Sequence, residues 1–358
     1  MIDIQAVKDR HRLEDIIEAE GIPLRKEGAH LVARCPFHPS DDTPSFTVYP
    51  RTQTYFCFAC QAWGDAIDFV KRLRNLAFRE AVAYLEGHPA PSSNPAPLPV
   101  VPPPPAITAD HLQVLDRVVA HYQLGLEQHT EALRYVLGRG LTFESIKAEK
   151  VGYCGLAGLC WTLRPAERLL ARELGLLNDR GNERMWKRLT FPAFRQGRPV
   201  WMIGRAPDDR PPKYLGLPVP KPLMGEDSLG GSDEAWVVEG VLDLLLLRQM
   251  ARELDRAIPA VALLGTHHTR QVAVALRDKA RVYLCLDADA AGRQATDGLI
   301  AELGERAVRV ELPPGAKDIG DLLPEEVKDL VLASYLADRK GVCHGKQSST
   351  PVRPRMSA

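Results

Sequence analysis

Between residues 235 and 313 four short apolar runs, AWVVEG, AVALLG, RVYLCLDAD and AVRVELP, alternate with amphipathic stretches such as VLDLLLLRQMARELD and AAGRQATDGLIAELG. Continuous apolar runs separated by helical periodicity predict a parallel sheet buried on both faces, with helices packed across it. Upstream, DHLQVLDRVVAHYQ and TEALRYVLGRGL place apolar residues at helical spacing, while RLTFPAF and RPVWMIG read as strands. Near the start of the chain, SFTVYP and TYFCF alternate with the period of a strand and predict a hairpin across the PRTQ turn. No internal repeat is visible.

One segment fits neither pattern. GHPAPSSNPAPLPVVPPPPA, from Gly87 to Ala106, is nearly uncharged and dominated by proline, which fixes φ and removes a backbone donor, so it is expected to be an extended spacer. This divides the chain into a first module at 1–88, a flexible Pro-rich linker at 89–108, a mixed α+β basic subdomain at 109–232 and the sheet domain at 233–340. Residues 341–358 are expected to be a disordered tail, and Cys343 and His344 within it are not counted as ligands.

Composition adds limits. The chain has 358 residues, 45% hydrophobic and 26% charged, which are values of a globular protein with room for two or three domains. Its formal net charge is zero, so any anionic partner must be met by local clusters. No apolar run approaches the roughly 18 to 20 residues that cross a bilayer, and the charged start lacks a signal-peptide core. No membrane association and a cytoplasmic location are the expectation. Seven cysteines in a reducing compartment point to metal binding or burial.

Cys35, His38, Cys57 and Cys60 form C-x2-H and C-x2-C pairs separated by 18 residues. Each pair can grip one ion from a tight turn, and three thiolates with an imidazole suit tetrahedral zinc. Four protein ligands leave no open position, so this zinc is structural. Around it lie Phe37, Phe46, Tyr49, Tyr55, Phe56, Phe58 and Trp63. Some must form a small core. The rest, with Arg34, Arg51, Lys71, Arg72 and Arg74, are candidates for stacking and phosphate contacts to single-stranded nucleic acid.

Acidic residues collect at the ends of the expected strands. Glu239 closes the first, with Asp243 four residues on; Asp287 and Asp289 close the third; Asp318 and Asp321 follow the fourth. In an open parallel sheet, chemistry gathers beyond the carboxyl ends of the strands. Carboxylates converging there repel unless cations lie between them, and hard oxygen ligands select Mg²⁺ or Mn²⁺. Paired ions of that kind suit in-line displacement at phosphorus. His267 and His268 are read as loop residues. From Asn178 to Lys213 nine Lys/Arg face four Asp/Glu, a local basic patch suited to phosphates.

Taken in order, these motifs resemble the bacterial DnaG-type DNA primases, whose catalytic core is a Toprim fold. CPFHPSDDTPSF and YFCFACQAWGDAIDFV resemble the family's zinc-ribbon signature, YVLGRGLTFESIK its core-entry motif, and FPAF, GRPVWMIGR and PPKYLGLP its basic core motifs. VVEGVLD, LLGTHHT, LDADAAG and GAKDIGDLL resemble the successive Toprim motifs. The resemblance implies a multidomain α/β chain that synthesises short RNA primers on single-stranded DNA by metal-assisted nucleotidyl transfer. It implies catalytic roles for Glu239, Asp287 and Asp289, with two or more Mg²⁺ or Mn²⁺ held by these, Asp318 and Asp321, and Asp243 completing the first motif. Arg184, Arg188, Arg205, Lys213 and Tyr214 would face nucleotide or template. Implied partners are nucleoside triphosphates, the RNA–DNA hybrid product, a replicative helicase and a single-strand-binding protein of the primosome. Two positions depart from the pattern: Met185-Trp186-Lys187-Arg188 replaces the usual arginine-rich step, and D-I-G-D replaces D-P-D. The absence of a helicase-binding C-terminal domain suggests a compact form, as in phages, plasmids or integrated elements. Rival functions are a non-catalytic nucleic-acid-binding replication accessory and a Toprim-type nuclease.

Overall fold

In the computed structural model, residues 7, 10–28, 30–38, 44–57, 60, 62–87, 107–156, 158–178, 180–208, 210–265 and 269–339 are described. Residues 88–106, which hold most of the linker expected at 89–108, and the tail at 341–358, together with Phe58, His267, His268, Cys343 and His344, lie outside the described residues. Contacts divide the chain into two units.

The first unit comprises 1–132, 150–193 and 198–222. It begins with helix α1 (Leu13–Ala19) and a meander of five antiparallel strands in sequence order, β1 (Arg25–Glu27), β2 (His30–Ala33), β3 (Phe46–Tyr49), β4 (Thr54–Cys57) and β5 (Trp63–Gly64). The expected hairpin is β3–β4, in register from Phe46 opposite Cys57 to Tyr49 opposite Thr54. Helices α2 (Ala66–Arg74) and α3 (Phe78–Leu85) follow. The Asp65 carboxylate caps α2 by accepting from the Ile67 and Asp68 N–H groups, and Asn75 ends it in the left-handed conformation. Phe37, Phe46, Tyr55 and Phe69 fill the core, their ring centroids 5.0–6.1 Å apart. Phe56 is buried as well, so most of the aromatics named as candidates for a nucleic-acid face are packing residues; Trp63 stays 57% exposed. A module this small needs most of its large rings for its own core.

The rest of this unit is built on α4 (Ala109–Glu127) and a second antiparallel sheet, β6 (Gly152–Cys154), β7 (Arg188–Arg195), β8 (Arg198–Arg205) and β9 (Tyr214–Gly216). Two short helices, α7 (Leu159–Thr162) and α8 (Pro165–Glu173), lie between β6 and β7; α5 (Thr130–Gly138) and α6 (Phe143–Ala148) come before β6. Gln196 and Gly197, both at positive φ, make the two-residue turn from β7 to β8.

The second unit comprises 133–149, 194–197 and 223–358. Its sheet is wholly parallel, in the order β11 (Ala260–Ala262), β10 (Glu234–Val238), β12 (Arg281–Cys285), β13 (Ala307–Arg309), as the four apolar runs predict. Helices α9 (Val241–Glu253), α10 (Thr269–Ala275), α11 (Ala290–Leu303) and α12 (Pro324–Arg339) accompany it. Every β10 residue from Ala235 to Val238 is buried, and so is the leucine run of α9. Residues 133–149 belong to this unit although the sequence places them before its sheet. Polar side chains of α9 hold them: Gln249 accepts from the Thr142 N–H at 2.9 Å and donates to the Gly140 carbonyl at 3.1 Å, while Arg248 and Arg252 clasp Glu149 at 2.9 and 2.6 Å.

Two glycines on α11 should respond oppositely to alanine. A Cβ at Gly292 would meet the Asp287 carbonyl oxygen at 2.1 Å, whereas one at Gly298 meets nothing within 4 Å. Thermal unfolding should show Gly298→Ala more stable by about 0.5–1 kcal/mol. Gly292→Ala should instead be less stable by about 1–3 kcal/mol, because the helix must lift off the strand end.

Candidate active site and zinc centre

The β3–β4 hairpin and the turn closed by the Cys57 N–H to Ala62 carbonyl bond at 2.8 Å bring Cys35, His38, Cys57 and Cys60 together. Their ligand atoms all lie within 4.8 Å of one another. The Cys35 and Cys60 sulfurs are 3.8 Å apart. That is the edge of a tetrahedron with Zn–S bonds of about 2.3 Å. Backbone N–H groups of Phe37 and Cys60 point at the Cys35 and Cys57 sulfurs, each at 3.4 Å, a support that stabilises thiolates. Hydrogen bonds from Cys35 and Cys60 hold the Cys57 thiol well below its usual range, while its bond to Cys57 drives Cys35 far above. Three sulfurs thus compete for one negative charge, a conflict that Zn²⁺ removes. The residues fit zinc, and the four protein ligands make it structural.

The acids lie where the strand order puts them. β10 and β12 are neighbours, and from β10 the chain crosses to β11 on one side and then returns to β12 on the other, so a crevice opens beyond their carboxyl ends. Glu239 follows β10 and accepts a hydrogen bond from the Asp287 backbone N–H beyond β12. Burial, then Asp289, raises the Glu239 pKa. Burial and the charges of Glu239, Asp243, Asp318 and Asp289 push Asp287 up to about 8. Oε2 of Glu239 and Oδ1 of Asp318 are buried without a hydrogen-bond partner. Such atoms are costly in a native fold and suit cation ligands. Among the described residues only the cysteine–histidine quartet forms a tight ligand set. The acids are spread along an edge instead, which suits a hydrated hard cation that keeps several waters.

Asp289 is exposed and caps α11 by accepting from the Gly292 N–H at 2.8 Å. Asp321 is also exposed, and its carboxylate turns back to the Lys317 N–H at 3.0 Å. Asp243 sits deeper. Its two oxygens accept from the Gly240 and Gly320 N–H groups, both at 3.0 Å, tying the turn after β10 to the turn carrying Asp318. Burial and Asp318 raise its pKa to about 6.

Arg139 is a residue the sequence reading did not single out. A Cβ on Gly320 would lie 3.1 Å from Asp318 Oδ1, 3.2 Å from an Arg139 guanidinium nitrogen and 3.4 Å from Asp243 Oδ1, so the three groups meet at one point. The GRG sequence inside YVLGRGLTFESIK was its only signal.

The basic residues belong to the first unit. Arg188 and Arg205 are buried. Arg188 donates to the Lys213 carbonyl at 3.3 Å, and the Arg205 guanidinium lies 5.1 Å from the Tyr214 ring centre and bonds the Tyr214 hydroxyl. Burial, with Arg210 beside it, lowers Arg188 to about 10; burial, with Arg72 beside it, lowers Arg184 to about 10. Burial disfavours the charged guanidinium in both, and a bound anion would offset that cost. Lys213 is exposed, and Trp186 stays 40% exposed next to buried Met185.

Two results are expected. Zinc should be about one per chain and should fall on Cys57→Ser or Cys60→Ser replacement, with loss of the structure of the first module. The second concerns pH. The folded chain keeps a proton on Asp287 up to about 8, whereas an unfolded aspartate sheds it near pH 4. Stability of the protein without divalent cation should therefore fall as pH rises through that window. At pH 8 Asp287→Asn should raise Tm by about 2–4 °C, the size of about 1 kcal/mol, with no gain at pH 4. Millimolar Mg²⁺ should recover the loss in wild type and have little effect in the variant.

Residues 2–90 match the family described as CHC2 zinc finger, and residues 236–323 the family described as Toprim-like. A DNA primase of Haemophilus influenzae is 35% identical over 306 residues, covering 78% of this chain and 50% of that protein. The zinc-binding and RNA polymerase domains of the Aquifex aeolicus primase share 27% identity at a TM-score of 0.53, covering 94% of this chain and 85% of that one. A DnaG primase catalytic domain bound to single-stranded DNA shares 26% identity at a TM-score of 0.51, covering 63% of this chain and 78% of that one. The chain spans about half the length of the curated relatives it matches. It belongs to the DnaG-type primase family, with a CHC2 zinc finger of the zinc-ribbon kind ahead of a Toprim-type parallel α/β sheet.

Proposed function

We propose that the chain is a DNA primase, a DNA-directed RNA polymerase that makes short primers on single-stranded DNA from nucleoside triphosphates. The observation that carries this reading is the acid edge at the switch point, with Asp287 pushed up to about 8 by its neighbours. It occurs in a chain related to primases. Mg²⁺ or Mn²⁺ held by Glu239, Asp287 and Asp289, with Asp318 and Asp321 beside them, would supply charge stabilisation at phosphorus during displacement of pyrophosphate.

The residues themselves have separable tasks. Glu239, Asp287 and Asp289 would offer carboxylate oxygens to the cation. Asp243 keeps the two turns in place through the Gly240 and Gly320 N–H groups. Arg139 offsets the negative charge of Asp243 and Asp318. Arg184, Arg188, Arg205, Lys213 and Tyr214 hold phosphates of nucleotide or template, and buried guanidiniums of this kind bind them bidentately. Lys213 and Trp186 offer an exposed cation and an exposed ring for the strand. The zinc module is a separate presenting surface at 1–88, with boundaries at 108/109 and 232/233 for the parts that follow. Further partners in this reading are the RNA–DNA hybrid product, a helicase and a single-strand-binding protein. The location in this reading is cytoplasmic; no described helix is long and apolar enough to cross a membrane.

The test is primer synthesis by purified protein on single-stranded DNA with labelled nucleotides and Mg²⁺ or Mn²⁺. Wild type should make short oligonucleotides. Asp287→Ala and Asp289→Ala should abolish them while template binding persists. Arg205→Ala should weaken template binding across sequences and lower the salt slope by about one. A wild type that binds many templates and extends none would leave the accessory function standing instead.

A further inference from the structure

The segment between β6 and β7 in the first unit carries the most exposed large hydrophobic side chain among the described residues, Trp161 at 83%, and another, Leu169, at 59%. Trp161 lies on α7 and Leu169 on α8. Along α8 the buried side is Glu167 and Ala171, continued by Leu174. Pro165, Leu169 and Arg172 follow one another at spacings of four and three, so they share the opposite face, with Arg168 beside them. Trp161 joins that face through Arg168, whose guanidinium lies 5.8 Å from the centre of the indole ring while its Nε donates to the Leu163 carbonyl at 3.0 Å. Trp161, Pro165 and Leu169 thus make an apolar ridge lined by arginines.

The charges around the ridge do not balance. From Leu156 to Gly175 three arginines stand against two glutamates. Glu167 is buried and already shared, by Arg164 at 2.7 Å and Arg117 at 3.2 Å. Glu173 is held by His111 at 2.9 Å. Among the described residues no carboxylate pairs with Arg168 or Arg172. Large apolar side chains left in water and rimmed by polar groups mark a docking surface. What covers this one must bring apolar groups for Trp161 and Leu169 and anions for Arg168 and Arg172. Nucleic acid would bring the charge, but the Arg168 guanidinium already occupies one face of the indole, and Pro165 and Leu169 give a base nothing to stack on. Carboxylates beside an apolar side chain meet both needs.

We infer that this ridge docks an acidic peptide segment of a partner protein, an apolar side chain of the peptide seated on Trp161 and Leu169 and its carboxylates on Arg168 and Arg172. A tryptophan at the centre with arginines around it is the composition in which protein contacts concentrate their binding energy. The charged contacts are open to water, so the affinity falls as salt rises. The ridge uses none of the acids of the second unit and none of Arg184, Arg188, Arg205, Lys213 and Tyr214. It would therefore bring a protein partner to the chain without drawing on the residues proposed for catalysis and template.

The experiment pans a displayed library of short random peptides over full-length, zinc-loaded protein, with the Trp161→Ala variant as parallel target, and then titrates a synthetic copy of the peptide most enriched on wild type. Peptides kept by wild type and lost on Trp161→Ala should carry Asp or Glu beside Phe, Leu or Ile. The copy should bind Trp161→Ala about thirtyfold more weakly, a common size for an interface tryptophan, and Arg172→Glu about tenfold more weakly. Exchanging the acids of the copy for lysines should make Arg172→Glu the better binder. Oligothymidylate should bind all three proteins equally. Trp161 and Arg172 are exposed, and an unchanged Tm checks that the variants are folded. The inference is overturned if no enriched peptide depends on Trp161, if the enriched peptides are neutral or basic, or if Arg172→Glu binds the copy as tightly as wild type. Loss of oligothymidylate binding in Trp161→Ala also overturns it and gives the ridge to nucleic acid.

Discussion

Like charges held close together at the edge of a buried sheet are the constraint around which the second unit is arranged. The strand order makes β10 and β12 neighbours, so Glu239 and Asp287 must share one crevice, and the Asp287 N–H even donates to the Glu239 carboxylate. An uncompensated cluster of that kind costs free energy, and its environment shows what limits the cost. Asp243 is satisfied by two backbone N–H groups, Asp289 by the start of α11, and Arg139 lies where Asp243 and Asp318 meet. What remains unsatisfied is Glu239 Oε2 and Asp318 Oδ1, both buried without a hydrogen-bond partner. The same logic explains Gly292: the helix behind Asp289 approaches the Asp287 carbonyl so closely that no side chain fits.

The first unit has the opposite imbalance. Burial disfavours the charged forms of Arg184 and Arg188, Arg188 donates to the Lys213 carbonyl, and the Arg205 guanidinium lies over the Tyr214 ring. A chain whose formal charge is zero thus separates into an edge that requires cations and a surface that requires anions. Under the proposed primase function, one substrate, a metal-bound polyphosphate, would carry both the cations and the anions that these two imbalances call for.

The zinc centre shows how a small module meets its own limit. Its core is four aromatic rings and a handful of aliphatic side chains, while Trp63 and Phe78 stay exposed. The zinc ligands sit at the end of the same hairpin, so the metal fixes the register that the ring packing needs. The outer face of that sheet is then free to carry His30, Tyr49 and Arg51.

Much of this was readable without coordinates, for local reasons. Strand and helix alternation from 235 to 313, the β3–β4 hairpin and the C-x2-H and C-x2-C pairs depend on residues close in sequence, where periodicity and spacing carry the signal. The strand-end position of Glu239, Asp287 and Asp318 follows from the same pattern. Other features arise only when distant segments meet. Residues 133–149 join the second unit because Gln249, Arg248 and Arg252 reach them from over 90 positions away, and no pattern in either segment announces it. Arg139 acquires its place for the same reason. Which aromatics are core and which are surface was likewise undecided, because an alternating strand gives two faces and only packing of α1 and α2 selects the buried one. Sequence set the chemistry available at each position; tertiary structure decided which charges had to face one another.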